Sequence, residues 1–325
     1  MDKEVLFTND AVVAGILFFT LLAVFKAARY PYPILQKFFT FFPPILLCYF
    51  LPGLLNTLGV FSGENSQVYP FVSKYLLPAT LFLFTISLDI DMLKKLGWKA
   101  LVVFLSGTLG VIIGGPLAVK IVYMIKPEVF MMGTENEVWK GLGTIAGSWI
   151  GGGATHTALE DVLPPSAYVF SQTVAVDVLV AEAWLAVLLI GVANAPKVNK
   201  WLNADASIVE DMKSKVAELA KQNDKIPSYY DFLKIFGISM VFVGISYFLA
   251  DLVTPWVKTN HPEWSKFSLT STFFWVVFLI TVFGIVSSRT KVKELEYAGA
   301  SKIASLMLYL LVASIGMQMD LLAIA

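Results

Sequence analysis

Residues 141–165 read GLGTIAGSWIGGGATHTALEDVLPP, and this stretch decides how the chain folds. It holds six glycines, three of them consecutive at Gly151, Gly152 and Gly153. Because each glycine costs a helix about 1 kcal/mol relative to alanine, the sequence predicts two helical arms that break near 151–153. Each arm has about ten residues and spans roughly 15 Å, which is half the thickness of a bilayer core.

A helix break within a membrane is tolerated only where it is buried in protein or lines a polar cavity. The N–H and C=O groups at such a break can bind an anionic substrate or a small cation. We therefore interpret the break as a binding site. Its candidate ligands are Ser148, Gly151, Gly152, Gly153, Thr155 and His156. Two alternatives stay open: the glycines could serve close helix packing, and His156 could be a structural residue rather than a proton-binding one.

The composition around this stretch is that of a membrane protein. The 325 residues are 57% hydrophobic and 15% charged, against about 25% charged residues in soluble domains. The formal net charge is zero, which gives no support for a nucleic-acid partner, and the lipid bilayer is the expected surroundings. Cys48 is the only cysteine, which excludes an internal disulfide and a cysteine-based metal cluster. The sequence predicts an all-α, polytopic membrane protein.

A crossing needs roughly 20 apolar residues, and the chain offers a series of such segments. They are 11–29, 38–59, 75–93, 100–125, the Gly-rich 141–163, 167–194, 230–256, 270–288 and 302–325. A polar linker at 197–228, with apolar residues at helical spacing, divides a first transmembrane repeat, 1–196, from the start of a second, 229–325. We expect this linker to be cytoplasmic.

Lysine and arginine predict the orientation, because cytoplasmic loops carry an excess of both. If the N-terminus is outside, all the basic clusters face the cytoplasm only when the Gly-rich stretch enters and leaves the membrane on the same side. This favours a re-entrant hairpin at 141–163. A single broken helix that crosses the bilayer is the alternative.

A weak internal repeat supports two related halves. Residues 81–93, LFLFTISLDIDML, align with residues 310–322, LLVASIGMQMDLL, at an offset of 229. Under the orientation above, the two segments run in opposite directions, as in the inverted-repeat plan of many secondary transporters. The first copy continues with a Gly-rich hairpin after this segment. We therefore expect the second repeat to be truncated, with roughly 75–100 residues missing.

Acidic residues within apolar segments are further candidate ligands. Asp177 is near the middle of 167–194, where a charge costs about 2.5–3.5 kcal/mol on insertion scales. We interpret it as a Na⁺ or H⁺ site, with Thr173 one turn away, although a buried structural carboxylate is an alternative. Glu182 is a weaker candidate, about 140° around the helix. Asp89 ends the third segment and is either a cavity ligand or an interfacial cap. No other metal site and no cofactor is predicted.

The run KGLGTIAGSWIGGGA at 140–154, followed by VAVDVLVAEAWLAVLL at 174–189, resembles domain-of-unknown-function family 819, the YjcL-like integral membrane proteins of bacteria and plastids. The resemblance implies a fold related to sodium/glutamate, citrate and bile-acid symporters and to cation/proton antiporters. It points to Gly151–Gly153, Ser148 and Asp177, to a bacterial inner-membrane location, and to a homodimer as one option. The chain differs from the family in lacking a second Gly-rich motif and in carrying Glu182 where a neutral polar residue is expected.

We therefore expect an ion-coupled secondary transporter that moves a small solute, an organic anion being the best fit, with Na⁺ or H⁺. A cation/proton antiporter is the nearest alternative. A non-transporting membrane sensor or assembly protein belongs to a different class and stays open. An enzyme is not expected, because the sequence has no HExxH, no GxSxG and no paired GxGD-like aspartates.

Overall fold

The computed structural model describes residues 5–42, 44–88, 90–203, 227–267 and 269–319, and over these ranges it is helical with no sheet. Three 3₁₀ helices, Pro127–Phe130, Pro262–Phe267 and Lys291–Ala298, join some of the α-helices. The α-helices of these ranges are α1 Asp10–Arg29, α2 Pro33–Phe41, α3 Pro44–Thr57, α4 Val68–Ile86, α5 Ile90–Ile125, α6 Val138–Gly151, α7 Gly153–Val162, α8 Ala167–Ala193, α9 Ala195–Leu202, α10 Tyr229–Asn260, α11 Thr272–Ser287 and α12 Ala300–Gly316.

Several of these helices are long and apolar enough to cross a membrane. Among the described residues, α1, α4, α10 and the Leu101–Ile125 part of α5 each qualify alone. Two sharply bent pairs, α2 with α3 and α11 with the following 3₁₀ helix, raise the number of candidate spans from four to six. The prediction of a polytopic helical membrane protein is therefore confirmed.

The structure corrects some segment boundaries. The predicted single segment 38–59 is two helices, α2 and α3, bent by 85°. The reason is the pair of prolines at 43 and 44, because a residue before proline is driven out of the helical region. The start of α5 is also ten residues earlier than the predicted 100, and α9 occupies the first residues of the predicted polar linker.

The helix bounds repeat at the offset found in the sequence. Adding 229 to the bounds of α3 gives 273–286, and α11 is Thr272–Ser287. The same shift places α1 at 239–258, inside α10, and α4 at 297–315, almost coincident with α12. Three helices of the first half thus have counterparts in the second, in the same chain order.

The third helix of each set packs against the other set. Helix α4 packs against α10 and α11, while α12 packs against α1 and α3. Glycines permit the closest approaches: Gly284 of α11 faces Thr85 of α4, and Gly316 of α12 faces the Tyr49 backbone of α3. The two sets are therefore interlocked, and each supplies its third helix to the core of the other.

Hydrogen bonds at the ends of α4 and α12 also join one helix set to the other. Near the end of α12, the Asn56 amide donates to Met319 O over 3.0 Å and the Gln318 amide donates to Gly63 O over 3.2 Å. At the end of α4, Ser87 is hydrogen-bonded to Glu296 of the 3₁₀ helix after α11. Each third helix is thus anchored by the loop of the other set.

Some sequence predictions fall outside the described residues. They are Asp89, most of the amphipathic part of the linker at 204–226, and the last residues of the aligned segment at 320–325. The orientation in the membrane and the homodimer also stay predictions.

Candidate functional site

The Gly-rich stretch forms an antiparallel helical hairpin made of α6 and α7. A methyl group added at Gly147 would lie 2.1 Å from Leu159 Cδ1, and one added at Gly151 would lie 2.2 Å from Thr155 Oγ1. The later glycine, Gly151, meets the earlier of the two partner residues, Thr155, so the two arms run in opposite directions. The predicted break is confirmed. The two arms have the geometry of the favoured hairpin and not of one broken helix that crosses the bilayer. Gly143 and Gly147 permit close packing of the two arms, whereas nothing lies within 4 Å of a methyl added at Gly152.

The tip of the hairpin is Gly152. Its φ of 83° and ψ of −176° lie in a region open essentially only to glycine, which explains why the chain reverses here. The Gly152 N–H donates to Ser148 O over 2.7 Å, and Gly152 O accepts from the N–H groups of Thr155 and His156 at 3.0 and 3.1 Å. One residue therefore ends α6 and begins α7.

At its base, the hairpin is closed by side chains. The Ser166 hydroxyl, just after α7, donates to Asn136 Oδ1, just before α6, over 2.6 Å. Beside it, the Gly133 N–H donates to the Glu137 carboxylate and holds its pKa below the ordinary value, with help from Trp139 and Lys140. The chain thus enters and leaves the hairpin at the same end.

Helix α8 lies alongside the hairpin and carries Asp177 to the level of the tip. Near the base, α8 is in close contact with α6, because a methyl group at Gly141 would lie 2.5 Å from Thr173 Cγ2 and 2.8 Å from Val169. Both Thr173 and Asp177 are buried, at 6% and 7% exposure. The absence of a side chain at Gly141 therefore sets the separation at which α8 and the hairpin meet.

Both Asp177 carboxylate oxygens face side chains of the hairpin. The Trp149 indole donates to Oδ1 over 2.7 Å, and His156 Nδ1 lies 3.5 Å from Oδ2. The Ser148 hydroxyl is also hydrogen-bonded to this carboxylate. Two residues come from α6 and one from α7, so a single acid on α8 joins both arms close to their tip.

His156 is enclosed, and only one of its ring nitrogens has a partner. The side chain is 3% exposed, and the edge of the ring meets Phe170 at a centroid separation of 5.2 Å. Nδ1 faces Asp177, whereas Nε2 is buried with no hydrogen-bond partner among the described residues. A buried nitrogen without a partner costs about 1–3 kcal/mol, so Nε2 is the group here that a ligand would satisfy.

A second set of polar side chains, those of Tyr49, Glu160 and Tyr69, lies near the residues around Asp177. The Tyr49 side chain of α3, 4% exposed, interacts electrostatically with both Asp177 and Glu160. Glu160 of α7 also accepts a hydrogen bond from the Tyr69 hydroxyl of α4. Helices of the interlocked core therefore contact the hairpin through polar side chains as well as apolar ones.

The side chains that contact the Asp177 carboxylate are hydrogen-bond donors, and the prediction of a Na⁺ or H⁺ site at this residue stays a prediction. Sodium sites in carriers use oxygen ligands, whereas an indole N–H is a donor only and a ring nitrogen that faces a carboxylate donates as well. These donors are directed at the positions where a cation would approach the carboxylate. No group of three or more His, Cys, Asp or Glu residues suited to a metal occurs in the part of the chain that the structure describes.

The predicted site residues separate into three groups. Ser148 and His156 both contact Asp177, and the adjacent tip is built by Gly151, Gly152, Gly153 and Thr155. The Thr173 hydroxyl instead donates to Phe170 O over 2.9 Å, within its own helix. The Glu182 side chain and Asp89 lie outside the described parts of the structure.

Trp149, Tyr49 and Glu160 are site residues that the sequence reasoning did not identify. Trp149 carried a usable signal, because it is the one large polar aromatic between the glycines of α6. Glu160 lies one turn from His156 on the same helix face, which is a second signal. Tyr49 gave none, since it is far away in the sequence.

Comparison with known proteins gives the family but not the activity. No curated protein and no solved structure matches this chain. One family model, described as "Protein of unknown function (DUF819)", matches residues 11–325. The match covers nearly the whole chain and agrees with the resemblance found in the Gly-rich stretch and in α8. The chain therefore belongs to the DUF819 family.

Proposed function

We propose that this protein is an ion-coupled secondary transporter that moves a small organic anion together with Na⁺ or H⁺. One observation carries the proposal: Asp177, buried in the first half of a 27-residue apolar helix, is held by three side chains of a helical hairpin. Acidic residues in the middle of membrane helices are costly and typically mark ion or proton pathways. Here the acid adjoins a helix break, and such breaks bind substrates and coupling ions in carriers.

The hairpin is short enough to be re-entrant. Helix α6 has 14 residues and α7 has 10, so the arms are roughly 21 Å and 15 Å long against a bilayer core of about 30 Å. The Ser166–Asn136 bond supports both ends lying on one side of the membrane. This satisfies the condition under which all the basic clusters face the cytoplasm.

The chemistry of the tip favours an anion. The N-terminus of α7 is at the tip, where the helix dipole and the first N–H groups attract negative charge. Beside it is the buried Nε2 of His156, which has no partner among the described residues. When Nε2 carries a proton, a carboxylate oxygen would satisfy it, whereas an apolar solute would leave it unpaired.

Interlocked helix sets support an inverted repeat. The common offset of 229 and the exchange of α4 and α12 support two copies related by a pseudo-two-fold axis. In carriers built this way, one repeat moves against the other around a fixed site. We assign 1–196 to the first repeat and 229–325 to the second, with 197–228 as the cytoplasmic linker.

Transport is tested with purified protein in liposomes. A panel of acetate, lactate, glutamate and citrate is applied under an imposed pH gradient and, separately, under a Na⁺ gradient, and uptake is measured. We expect gradient-driven uptake of at least one anion and a loss of at least tenfold in Asp177→Asn. The matched control is Asp251→Asn, since Asp251 is an exposed acid of the membrane helix α10. Equal uptake by the wild type and Asp177→Asn would refute the proposal.

The same liposomes separate the two alternatives. A cation/proton antiporter would exchange Na⁺ for H⁺ through Asp177 with no organic anion present. A sensor or assembly protein would move neither ion nor solute, and Asp177→Asn would leave its role intact. The donors that enclose Asp177 favour the symporter over a Na⁺-binding antiporter.

A further inference from the structure

We propose that His156 is a proton-gated anion ligand, so that H⁺ is the coupling ion and binds together with the substrate anion. The inference rests on the proposed transport function and goes further, because it selects the ion and gives the atom that the anion contacts. It is carried by the different surroundings of the two nitrogens of one buried imidazole.

The first step is the tautomer. Nδ1 of His156 lies 3.5 Å from Asp177 Oδ2, and an ionised carboxylate only accepts hydrogen bonds. In the neutral ring, the proton is therefore on Nδ1. Nε2 is then left with a lone pair, which repels the oxygen of an anion.

The second step is protonation. A proton that binds at Nε2 converts this nitrogen from an acceptor into a donor, and the imidazolium balances the charge of Asp177. The new N–H is buried and has no partner among the described residues, so an anion oxygen is the group that satisfies it. No covalent bond to the anion forms or breaks. By linkage, an anion that prefers the protonated ring raises the proton affinity of that ring by the same factor.

The third step is that the donors around Asp177 disfavour sodium there. Trp149 occupies the approach to Oδ1 and His156 the approach to Oδ2, while Ser148 is also bonded to this carboxylate. These three donors take three of the roughly four lone-pair sites of the carboxylate, so a sodium ion could use at most one site without displacing a donor. Other titratable groups near His156 are Glu160 on the same face of α7 and Tyr49 of α3, and Glu160 is itself bonded by Tyr69.

The chain allows a direct test, because it contains two histidines, and the second, His261, is distant in a loop. In protein labelled with ¹⁵N-histidine and carrying His261→Asn, every imidazole signal belongs to His156. We expect the neutral ring to carry its proton on Nδ1 and to gain the second proton at Nε2 as the pH falls. In Asp177→Asn, the preference for the Nδ1 tautomer should disappear.

Ion and anion dependence complete the test. Replacing choline with Na⁺ should leave the titration midpoint unchanged, whereas formate or inorganic phosphate should move it upward. A neutral ring with its proton on Nε2, a midpoint moved by Na⁺, or no response to either anion would each overturn the inference. Uptake driven only by Na⁺ in the liposome assay would refute the inference and leave transport standing. The expected titration without any solute uptake would instead refute transport.

Discussion

The indole Nε1 of Trp149 donates a 2.7 Å hydrogen bond to Asp177 Oδ1. Trp149 lies two residues before the end of α6, and Asp177 lies in the first half of α8. Because an indole N–H can only donate, this bond stabilises the ionised carboxylate and fixes the tip of the hairpin against α8. The position of the tip is thereby linked to the charge of one buried acid.

Replacing Trp149 with phenylalanine removes the donor and keeps an aromatic ring. We expect Trp149→Phe to lower the free energy of unfolding by about 1.5–3 kcal/mol, the contribution of a hydrogen bond to a charged group. Thermal unfolding of purified protein in detergent measures the loss. Trp139→Phe is the matched control, since the Trp139 indole donates to Glu137 at an exposed site and its loss should cost less. Equal effects of the two changes would contradict a stronger bond at the buried Asp177 carboxylate.

Substitution of Gly152 tests the turn of the hairpin. An alanine at φ 83° and ψ −176° is strained, so Gly152→Ala should cost about 1–3 kcal/mol although nothing lies within 4 Å of the added methyl. Gly191→Ala, in open space in α8 and without a positive φ, should be neutral or slightly stabilising. Unfolding midpoints of both variants give the comparison. A neutral Gly152→Ala would mean that the arms do not reverse at this residue.

The sequence predicted the parts of the site that depend on local chemistry. Three consecutive glycines forecast the helix break, and an acid in an apolar helix identified Asp177, because both signals lie within one segment. The antiparallel pairing of α6 with α7 was favoured only by the requirement that all the lysine and arginine clusters face the cytoplasm. That argument uses the whole chain rather than the residues that touch.

Contacts between distant segments could not be predicted in the same way. Tyr49 of α3 interacts electrostatically with Asp177, and an apolar helix gives no sign of which tyrosine will lie near a distant acid. The exchange of α4 and α12 was also missed, because the offset of 229 shows that two segments correspond but not which neighbours they pack against. The two prolines between α2 and α3 were a local signal of the bend. The signal was overlooked because 38–59 is apolar enough to be interpreted as a single membrane segment.

Close packing of the hairpin arms is tested at Gly147. The methyl group of Gly147→Ala would lie 2.1 Å from Leu159 Cδ1, so the arms must separate or Leu159 must move. We expect a cost of about 1–3 kcal/mol, as for other overpacked sites. In the double variant Gly147→Ala, Leu159→Ala, the smaller partner makes room. The cost should therefore be less than the sum of the two single costs, as a double-mutant cycle measures. Strict additivity would mean that the arms are not in contact.

Acid should weaken the base of the hairpin through Glu137. The Gly133 N–H holds the pKa of this carboxyl below 4.5, the ordinary value, so the ionised form is favoured in the folded protein. The resulting stabilisation is complete above the unfolded pKa and is lost as the pH falls through the lower, folded pKa. Unfolding temperatures of the wild type and Glu137→Gln should differ at neutral pH and converge on acidification. A difference that grows with acid would contradict this assignment.

Two glycines test the exchanged packing of the helix sets, and they should differ in how far their substitution can be relieved. A methyl at Gly284 would lie 2.6 Å from Thr85 Cβ, a side-chain atom, whereas one at Gly316 would lie 2.2 Å from Tyr49 O, a backbone atom. We expect both Gly284→Ala and Gly316→Ala to destabilise the protein. Gly316→Ala should be the more severe, because its contact is shorter and no change of the partner's side chain removes a backbone carbonyl.

Adding Thr85→Gly should recover part of the steric loss in Gly284→Ala, because it removes the Cβ atom that the new methyl would meet. Gly237→Ala is the control, since nothing lies within 4 Å of its added methyl in α10. Unfolding in detergent, followed by the fluorescence of the native tryptophans, measures all four proteins. If Gly316→Ala matched this control, α12 would not pack against α3. The exchange of third helices, which supports the inverted repeat, would then be wrong.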